Sequence, residues 1–445
     1  MPASPDHDPQ SPPRPVTSSN PTPRDVRMKG FVHRALVGDV LDWLRGQALP
    51  REPETVLVAE LSGRVLGQPI DAPIDVPSFD RSAMDGYAVQ AAATDGAGLY
   101  NPLSFAIVGE SLPGSGFSGT IDSGSAVRIM TGAPVPSGAT CVVPAEHASE
   151  TDDRVEITTP VPVGRHIGRR GEDVTVGQRL LETGRRLRPQ DVALIGSLGL
   201  DRVEVIRQPR VRLLITGDEL VAPGGVRRDD QIFESNSLML AGLVQRDGGL
   251  LENSSLSVPV ADQRPAIARM LTEPGADVIL VSGGSSVGTE DHAPTLVAEV
   301  GELTFHGVAM RPSSPAGVGR VGEALVFLLP GNPVSCLCAY DVFAGEAIRR
   351  QGGLAPGWPY QAIEGVLDER IASDIGRLDY CRVSIEHGSP RVISPLAISG
   401  ASILSSTTRA DGFVVVPADL EGYASGCTIR AWLYDPPSSG LGVPE

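Results

Sequence analysis

Residues 276–284 read ADVILVSGG, and the same kind of run recurs at 211–217 (VRLLITG) and at 324–332 (ALVFLLPGN). Each run is short and almost continuously apolar, ends in a polar or glycine-rich turn and leads into a segment with helical periodicity. Buried strands of a parallel sheet have this character. The helical periodicity falls near residues 237–246, 263–271, 294–300 and 334–349. We therefore predict an open α/β domain over residues 209–356.

Three polar motifs emerge where these predicted strands end. They are TGDE at 216–219, SGGSSVG at 282–288 and LPGNPVS at 329–335. In open α/β sheets, ligands bind beyond the carboxyl ends of the strands, and glycines let backbone N–H groups approach an oxyanion closely. SGGSSVG lacks the lysine of a GxxxxGK[ST] loop and the spacing of GxGxxG, which argues against an ordinary ATP loop or dinucleotide fingerprint. The alternative is a glycine-rich turn with a purely structural function.

Carboxylates accompany these motifs. Asp218 and Glu219 directly follow a predicted strand, and Asp291 follows the glycine loop. Because Mg²⁺ commonly binds one or two carboxylates together with phosphate oxygens, they predict a magnesium site beside a phosphate. The alternative is that these carboxylates cap the following turn or helix. Ser335 is placed to offer its hydroxyl at the positive end of a helix, whereas Asn332 suits an unusual backbone conformation.

A further polar stretch, PSFDRSAMDGYAV, lies much earlier, at residues 77–89. Asp85 and Gly86 form an Asp-Gly pair, which a tight turn explains by default. The surrounding sequence is longer than a turn requires, so Asp85 is also a candidate for presenting carboxylate oxygens in a pocket. Thr131 in RIMTGAPVP is equally ambiguous, since a turn explains its backbone and leaves its hydroxyl free. We expect these separated segments to converge on one anion-binding site.

The rest of the chain predicts several further regions. Residues 32–48 (VHRALVGDVLDWLRGQA) place apolar side chains at helical spacing, and we expect residues 164–199 to pack against this helix. Short β-favouring runs separated by glycine and proline predict β structure both before the α/β domain, within residues 67–162, and after it, within residues 357–445. The predicted organisation is a disordered tail (1–28), a discontinuous helical and linker domain (29–66 and 163–208), an inserted mainly β domain (67–162), the α/β domain and a C-terminal β-barrel or sandwich (357–445).

Composition excludes several classes of protein. The net charge of -17 and the aromatic content of 4% argue against nucleic acid as a partner. Five cysteines, odd in number and scattered through apolar segments, fit a reducing cytoplasm, and we expect Cys336 and Cys338 to pack in the core. No run resembles a signal sequence or the roughly 18 apolar residues of a membrane span. We predict a cytoplasmic protein without nucleic acid or membrane partners.

Taken together and in order, PSFDRSAMDGYAV, RIMTGAPVP, GRRGEDV, TGDE, SGGSSVG and LPGNPVS resemble the MoeA family of molybdopterin molybdenumtransferases, which includes the E domain of gephyrin. The resemblance runs from about residue 30 to the carboxyl end. It implies a homodimer whose α/β domain resembles molybdopterin adenylyltransferases. It also implies a Mg²⁺-dependent reaction that cleaves adenylylated molybdopterin, inserts molybdate into the dithiolene and releases AMP. A molybdopterin adenylyltransferase and client molybdoenzymes are the implied protein partners.

The resemblance also assigns the site residues. It implies that Asp85, Asp218 and Asp291 bind Mg²⁺ and, with Thr131, are catalytic. Asp85 and Thr131 of one subunit are expected to face the α/β pocket of the other. The residues implied to bind the pterin nucleotide and the oxyanion are Glu219, Gly283, Gly284, Ser285, Arg311, Ser314, Asn332, Ser335, Arg377, Arg382 and Ser402.

One segment departs from the family pattern. Where members of the family usually carry KPGKP, residues 311–315 read RPSSP. Arg311 keeps one positive charge in a planar fork that is not equivalent to an ammonium, and Ser314 loses the second charge. Two further hypotheses therefore stay open. One is a non-catalytic paralogue that binds pterin or a protein client, and the other is an enzyme acting on tungstate or another nucleotide-linked cofactor.

Overall fold

The chain folds into two compact units. One unit comprises Met1–Arg51 and Gln208–Glu445, and the other comprises Glu52–Arg207. The computed structural model describes residues 33–252, 264–284, 292–386, 388–397 and 400–435, so the predicted tail at 1–28 lies outside it. In these ranges, no helix is long and apolar enough to cross a membrane. The helices are α1 (Val37–Gln47), α2 (Pro189–Ser197), α3 (Asn236–Arg246), α4 (Arg264–Thr272), α5 (Ala293–Val300), α6 (Pro333–Ala339), α7 (Gly345–Gln351) and α8 (Ser405–Thr408), with a π-helical turn at Tyr340–Ala344 between α6 and α7.

The unit Glu52–Arg207 is mainly β structure. Its largest sheet has the strand order β7-β4-β6-β5-β9-β8, in which β5 and β6 run parallel and the other neighbours antiparallel. The predicted β-favouring runs FAIVGE, AVRIMTGAPV, CVVPAE and RVEITTPV overlap β5, β6, β7 and β9, respectively. The strands are β1 (Pro53–Leu57), β2 (Ile70–Asp71), β3 (Arg81–Ser82), β4 (Gly86–Val89), β5 (Leu103–Ser111), β6 (Ser125–Ile129), β7 (Cys141–Pro144), β8 (Ala148–Thr151), β9 (Arg154–Ile157), β10 (Ile167–Gly168), β11 (Arg179–Leu181) and β12 (Arg202–Ile206).

The other unit contains the predicted α/β sheet. Its strand order is β16-β13-β17-β21-β20-β18, with β16, β13, β17 and β21 parallel and the last two strands antiparallel. The three apolar runs of the sequence form β13, β17 and β21, which confirms their prediction as parallel strands. The strands here are β13 (Arg210–Ile215), β14 (Leu220–Val221), β15 (Ile232–Phe233), β16 (Leu250–Leu251), β17 (Val278–Ser282), β18 (Glu302–His306), β19 (Met310–Arg311), β20 (Gly317–Val321) and β21 (Ala324–Leu329).

Helices cover both faces of this sheet, which explains the continuous apolar runs. Leu280 joins a core that includes residues of α1, α3 and α6, whereas its neighbours Ile279 and Val281 join a second core with α4 and α5. Successive side chains of a strand point to opposite faces, so a strand buried on both sides needs apolar residues throughout. Cys336 and Cys338 are buried in the first core, as predicted, and burial raises the pKa of the Cys336 thiol to about 12.

The C-terminal part forms a second, curled sheet in the same unit. Its strand order is β19-β24-β25-β22-β28-β26, and β26 pairs with β24 as well as with β28, so the sheet curls back on itself. Its interior holds a separate apolar core that includes Leu367, Val383 and Ile393. The strands are β22 (Gln361–Leu367), β23 (Ile371–Ala372), β24 (Leu378–Glu386), β25 (Val392–Ala397), β26 (Gly412–Val416), β27 (Gly422–Tyr423) and β28 (Thr428–Leu433).

The first helix has a different partner from the one predicted. Val40 and Leu44 of α1 are buried in the core of the parallel sheet, and the Trp43 ring meets the edge of Phe305 with centroids 6.0 Å apart. The expectation that residues 164–199 pack against this helix is therefore wrong. They pack instead with residues 58–76, in a core that includes Leu61 and Ile195. An amphipathic stripe specifies that one helix face is buried but not which surface covers it.

Candidate functional site

The carboxyl ends of β13, β17 and β21 lie side by side at one edge of the sheet, and we call the region just beyond them the crevice. In the parallel register Ile215 lies opposite Ser282, and Ser282 lies opposite Leu329. The next residues nearly touch: a Cβ added to Gly283 would lie 2.1 Å from the carbonyl oxygen of Thr216, and the φ angle of Gly283 is +91°. Glycine alone suits this close approach and backbone conformation. The predicted Gly283 and Gly284 thus directly follow the end of β17, close to the backbone of Thr216.

Asn236, the first residue of α3, joins two sides of the crevice. Its Nδ2 donates hydrogen bonds to Ser282 Oγ at 2.9 Å and to the Gly331 carbonyl oxygen at 2.8 Å. The buried Oγ1 of Thr216 and Oδ1 of Asn236 have no hydrogen-bond partner within the described residues. Because buried polar atoms are nearly always hydrogen-bonded, these two atoms suit the polar groups of a ligand.

Two of the predicted carboxylates lie in the loop after β13. Asp218 and Glu219 are exposed, and the Glu219 carboxylate lies over Gly217, where an added Cβ would come within 2.7 Å of it. Such oxygen donors suit Mg²⁺, which takes its remaining ligands from phosphate and water. Asp291 and Ser285, also predicted for the site, lie outside the described residues. Among the residues that are described, no three His, Cys, Asp or Glu side chains are grouped to hold a metal ion.

A cavity of about 700 Å³ lies in the same unit beside the turn between β21 and α6. Segments 309–315 and 374–377 line it, together with parts of 330–335 and 400–401. Five residues predicted from the sequence are in its wall: Arg311, Ser314, Asn332, Ser335 and Arg377. The predicted Ser402 supports this wall, since its Oγ donates a hydrogen bond to Asn332 Oδ1 at 3.1 Å.

The segment that departs from the family pattern forms one side of this cavity. Ser313 has a φ angle of +98°, and its Oγ donates a hydrogen bond to the Ser335 carbonyl oxygen at 2.7 Å. The Ser314 carbonyl oxygen accepts a backbone hydrogen bond from the Val308 N–H at 2.9 Å, which holds the turn against the segment between β18 and β19. The Oγ of Ser314 is buried and lacks a hydrogen-bond partner among the residues described. The turn therefore places a serine in the wall of the cavity where the family pattern has a lysine.

Two arginines of the cavity are held by carboxylates. Arg311 forms an ion pair with Asp379, which is fully buried beneath the cavity. Arg377 donates through Nε to the same Asp379 at 3.1 Å, and its Nη2 lies 2.7 Å from Asp374 Oδ2. Charge-assisted pairs of this kind fix the orientation of a guanidinium group. The cavity therefore contains ordered cationic groups whose charge is largely balanced by neighbouring carboxylates.

Asp85 and Thr131 meet in the other unit. Asp85 precedes β4 and Thr131 follows β6, and the antiparallel pairing of these strands places Gly86 opposite Ile129. The backbone N and the Oγ1 of Thr131 both donate to Asp85 Oδ1, each at 2.7 Å. These hydrogen bonds lower the pKa of the exposed Asp85 carboxyl from its ordinary value. Two residues predicted from separate motifs thus form one ionised, surface-facing group.

Comparison with known proteins identifies the family of this chain. Residues 36–199 match the MoeA N-terminal region (domain I and II), residues 212–350 match a probable molybdopterin binding domain, and residues 364–434 match the MoeA C-terminal region (domain IV). A protein named molybdopterin molybdenumtransferase 2, from Mycobacterium tuberculosis, is 36% identical over 85% of this chain and 95% of its own length. This chain belongs to the MoeA family.

Other members of the MoeA family extend the comparison. The molybdopterin molybdenumtransferase of Haemophilus influenzae is 31% identical over 85% of this chain and 93% of its own. A crystal structure of the molybdopterin biosynthesis moeA protein from Pyrococcus horikoshii OT3 is 29% identical, covers 90% of this chain and 100% of its own, and has a TM-score of 0.69. The multidomain fold, with its α/β domain, is therefore that of the MoeA family.

The structure separates two arginines that the sequence had grouped. Arg377 lines the cavity, whereas Arg382, in the middle of β24, is fully enclosed and does not line it. Both lie within residues 376–382, which read GRLDYCR, and the sequence alone did not distinguish them. The sequence-based assignment of the site also did not include Thr216, Asn236 or Arg34. Thr216 carried a signal, because it begins the TGDE motif, but Asn236 and Arg34 lie in no motif, and only the fold brings them to the crevice and the cavity.

Proposed function

We propose that this chain is a molybdopterin molybdenumtransferase of molybdenum cofactor biosynthesis. Its substrates are adenylylated molybdopterin and molybdate, and its products are the molybdenum-loaded dithiolene and AMP. Membership of the MoeA family supports this proposal, together with the names of relatives that match nearly their whole length. The function requires a nucleotide site and an oxyanion site within reach of each other.

The main structural support for this function is the turn at residues 330–333, because this turn borders both the crevice and the cavity. On the crevice side the Gly331 carbonyl oxygen accepts a hydrogen bond from Asn236. On the other side Pro330 and Asn332 are in the wall of the cavity. A pterin nucleotide bound along this turn extends from the glycine-rich crevice to the arginine-bearing cavity. This arrangement supports cleavage of the nucleotide and capture of the oxyanion in adjoining places.

Each part of the site has a proposed task. In the crevice, Gly283 and Gly284 allow a phosphate to approach the backbone, and the unpartnered Oγ1 of Thr216 offers it a hydrogen bond. In the cavity, Arg311, Arg377, Ser314 and Ser335 hold the oxyanion, while Ser402 orients Asn332. Cleavage of a phosphoryl bond depends mainly on positioning and charge neutralisation, which such groups provide.

Mg²⁺ is part of the proposal. The exposed carboxylates of Asp218 and Glu219 would hold it in the loop after β13, together with Asp291. When bound, Mg²⁺ neutralises negative charge on the phosphate oxygens. The ionised Asp85, oriented by Thr131, is proposed as a further carboxylate of the reaction. We also propose that two copies of the chain form a homodimer in which Asp85 and Thr131 of one subunit serve the α/β site of the other.

Finer features of the proposal follow from the family. We propose a cytoplasmic enzyme that receives its substrate from a molybdopterin adenylyltransferase and supplies client molybdoenzymes. We also propose an inserted β domain (67–162), an α/β domain (209–356) and a C-terminal β-barrel (357–445). The discontinuous helical and linker domain predicted over 29–66 and 163–208 does not include α1, because α1 is buried in the core of the parallel sheet. The non-catalytic alternative, suggested by RPSSP in place of KPGKP, is not favoured, because the Mycobacterium tuberculosis and Haemophilus influenzae relatives are both named as transferases.

Replacement of Asp85 tests the proposed reaction. Full-length protein is incubated with adenylylated molybdopterin, Mg²⁺ and molybdate, and the release of AMP is measured. Asp85→Ala is expected to slow AMP release at least about a hundredfold, the scale of effect of losing one positioned group in an active site. Its folding should be unchanged, because the residue is exposed.

Asp122→Ala is the matched control. Asp122 is also exposed in the unit Glu52–Arg207, and its Oδ1 accepts hydrogen bonds from Ser125 Oγ at 2.7 Å and from Gly124 N at 3.0 Å. We expect this variant to release AMP at the native rate. Equal rates for Asp85→Ala and the native protein would remove Asp85 from the mechanism. Native protein that releases no AMP with molybdate or tungstate would overturn the proposed function.

A further inference from the structure

Charged side chains of opposite sign line the cavity. The cationic ones are Arg34, Arg311 and Arg377, and the acidic one is Asp374, with Asp379 buried beneath. Arg311 and Arg377 share Asp379, and Arg377 also pairs with Asp374. Two positive charges thus face two negative charges, and this group alone leaves little net attraction for an incoming anion. Arg34 is the one charged residue in the described wall of the cavity that does not belong to this group.

Arg34 differs from the other two arginines in its surroundings. It is exposed, and in the part of the chain that the structure describes no carboxylate forms an ion pair with it. A guanidinium without a carboxylate partner keeps its donors available, and five N–H groups in a fixed fork match the oxygens of an oxyanion. The electrostatic attraction of the cavity for an anion therefore depends on Arg34.

The backbone holds Arg34 at the cavity. Its neighbour Ala35 donates a hydrogen bond to the Gly307 carbonyl oxygen at 3.0 Å and accepts one from the Ala309 N–H at 2.8 Å. The segment before α1 is thus paired with residues 307–309, which lead directly into Arg311. Because α1 itself is anchored in the core of the same unit, the position of Arg34 is set from both sides.

We propose that Arg34 is an oxyanion-binding residue, which supplies the positive charge that the segment RPSSP lacks compared with KPGKP. The inference rests on the proposed function, since it assumes that this cavity receives the oxyanion. Ser314 and Arg34 then divide the task of the missing lysine. The hydroxyl of Ser314, which is buried and unpartnered among the described residues, offers a neutral hydrogen bond, and Arg34 provides the charge from a distant part of the chain.

Oxyanion binding by the full-length protein tests this inference. Molybdate is titrated calorimetrically into the native protein, Arg34→Gln, Arg34→Lys and Arg269→Gln. We expect Arg34→Gln to weaken molybdate binding about tenfold, the effect of losing one charge-assisted hydrogen bond, and Arg34→Lys to recover part of it. Raising the salt concentration from about 50 mM to about 300 mM should weaken binding to the native protein more than to Arg34→Gln.

Arg269→Gln is the control for net charge. Arg269 is exposed on α4 in the same unit, outside the wall of the cavity, and its replacement removes the same charge. Equal loss of binding in Arg34→Gln and Arg269→Gln, or native affinity in Arg34→Gln, would overturn the assignment of Arg34. Native protein that releases AMP but binds molybdate independently of Arg34 would leave the proposed function intact. No molybdate binding by the native protein would overturn both.

Discussion

At the scale of single residues, Ser313 shows how the chain tolerates its departure from the family pattern. KPGKP has glycine where this chain has Ser313, and the φ angle there is +98°, a region that favours glycine. A residue with a side chain in this region is strained by about 1–3 kcal/mol. The hydrogen bond from Ser313 Oγ to the Ser335 carbonyl oxygen partly offsets that strain.

Substitutions at Ser313 separate the strain from the hydrogen bond. Ser313→Ala keeps the strain and loses the bond, so we expect it to lower the free energy of unfolding by about 1 kcal/mol. Ser313→Gly loses the bond and relieves the strain, and we expect it to be within about 0.5 kcal/mol of native. Urea denaturation followed by circular dichroism measures both variants. A glycine variant less stable than the alanine variant would show that the backbone is not strained.

At the scale of elements, side chains connect strands of the unit Glu52–Arg207 that are not hydrogen-bonded neighbours. Glu150 on β8 accepts hydrogen bonds from Arg128 on β6 and from Tyr87 on β4. The hydrogen bonds from Arg128, and to a lesser extent the one from Tyr87, lower the pKa of Glu150 to about 2. Partial burial of the Tyr87 hydroxyl, and next its hydrogen bond to Glu150, raise the pKa of Tyr87 to about 12. The edge strand β8 is thereby linked to the centre of the sheet.

This linkage predicts a pH-dependent contribution to stability. The pKa of Glu150 falls from 4.5 to about 2 on folding, so its contribution is present above about pH 4.5 and is lost as the pH falls towards 2. We expect Glu150→Gln to lower the melting temperature of this unit at pH 7, with a smaller difference at pH 3. Glu156→Gln, on the adjacent β9, is the control, and its melting temperature should match that of the native protein at both pH 7 and pH 3. Equal differences at both pH values would exclude the ionised Glu150 as the cause.

At the scale of the whole molecule, the two compact units have separate apolar cores. Ile157 is fully buried in the unit Glu52–Arg207, and Ile279 is fully buried in the sheet of the other unit. Each core is formed by residues of its own unit. Residues that pack in one core unfold together, so chains with several separate cores commonly unfold in more than one step.

Paired core substitutions test whether the units unfold independently. Ile157→Ala and Ile279→Ala each remove the same buried side-chain atoms and should destabilise their own unit by about 2–5 kcal/mol. Differential scanning calorimetry should show two transitions, with each variant lowering a different one. A single transition that both variants shift equally would show that the chain unfolds as one cooperative unit.

The amino-acid sequence alone determined the parallel strands, their helices and the crevice at their carboxyl ends. Each of these depends on neighbours within a few residues: the apolar run at 278–282 specifies burial on both faces, and Gly283 specifies a close backbone approach. The order of motifs was enough to indicate the MoeA family, and the resemblance named five of the residues that line the cavity.

Only the tertiary structure decided which surfaces meet. Periodicity showed that α1 buries one face, but the core of the parallel sheet, built from residues far along the chain, determined its partner. The same packing enclosed Arg382, left Arg377 in the wall of the cavity and placed Arg34 in the same wall. The physical reason is that burial and electrostatic pairing depend on distances in space, which local sequence patterns do not specify.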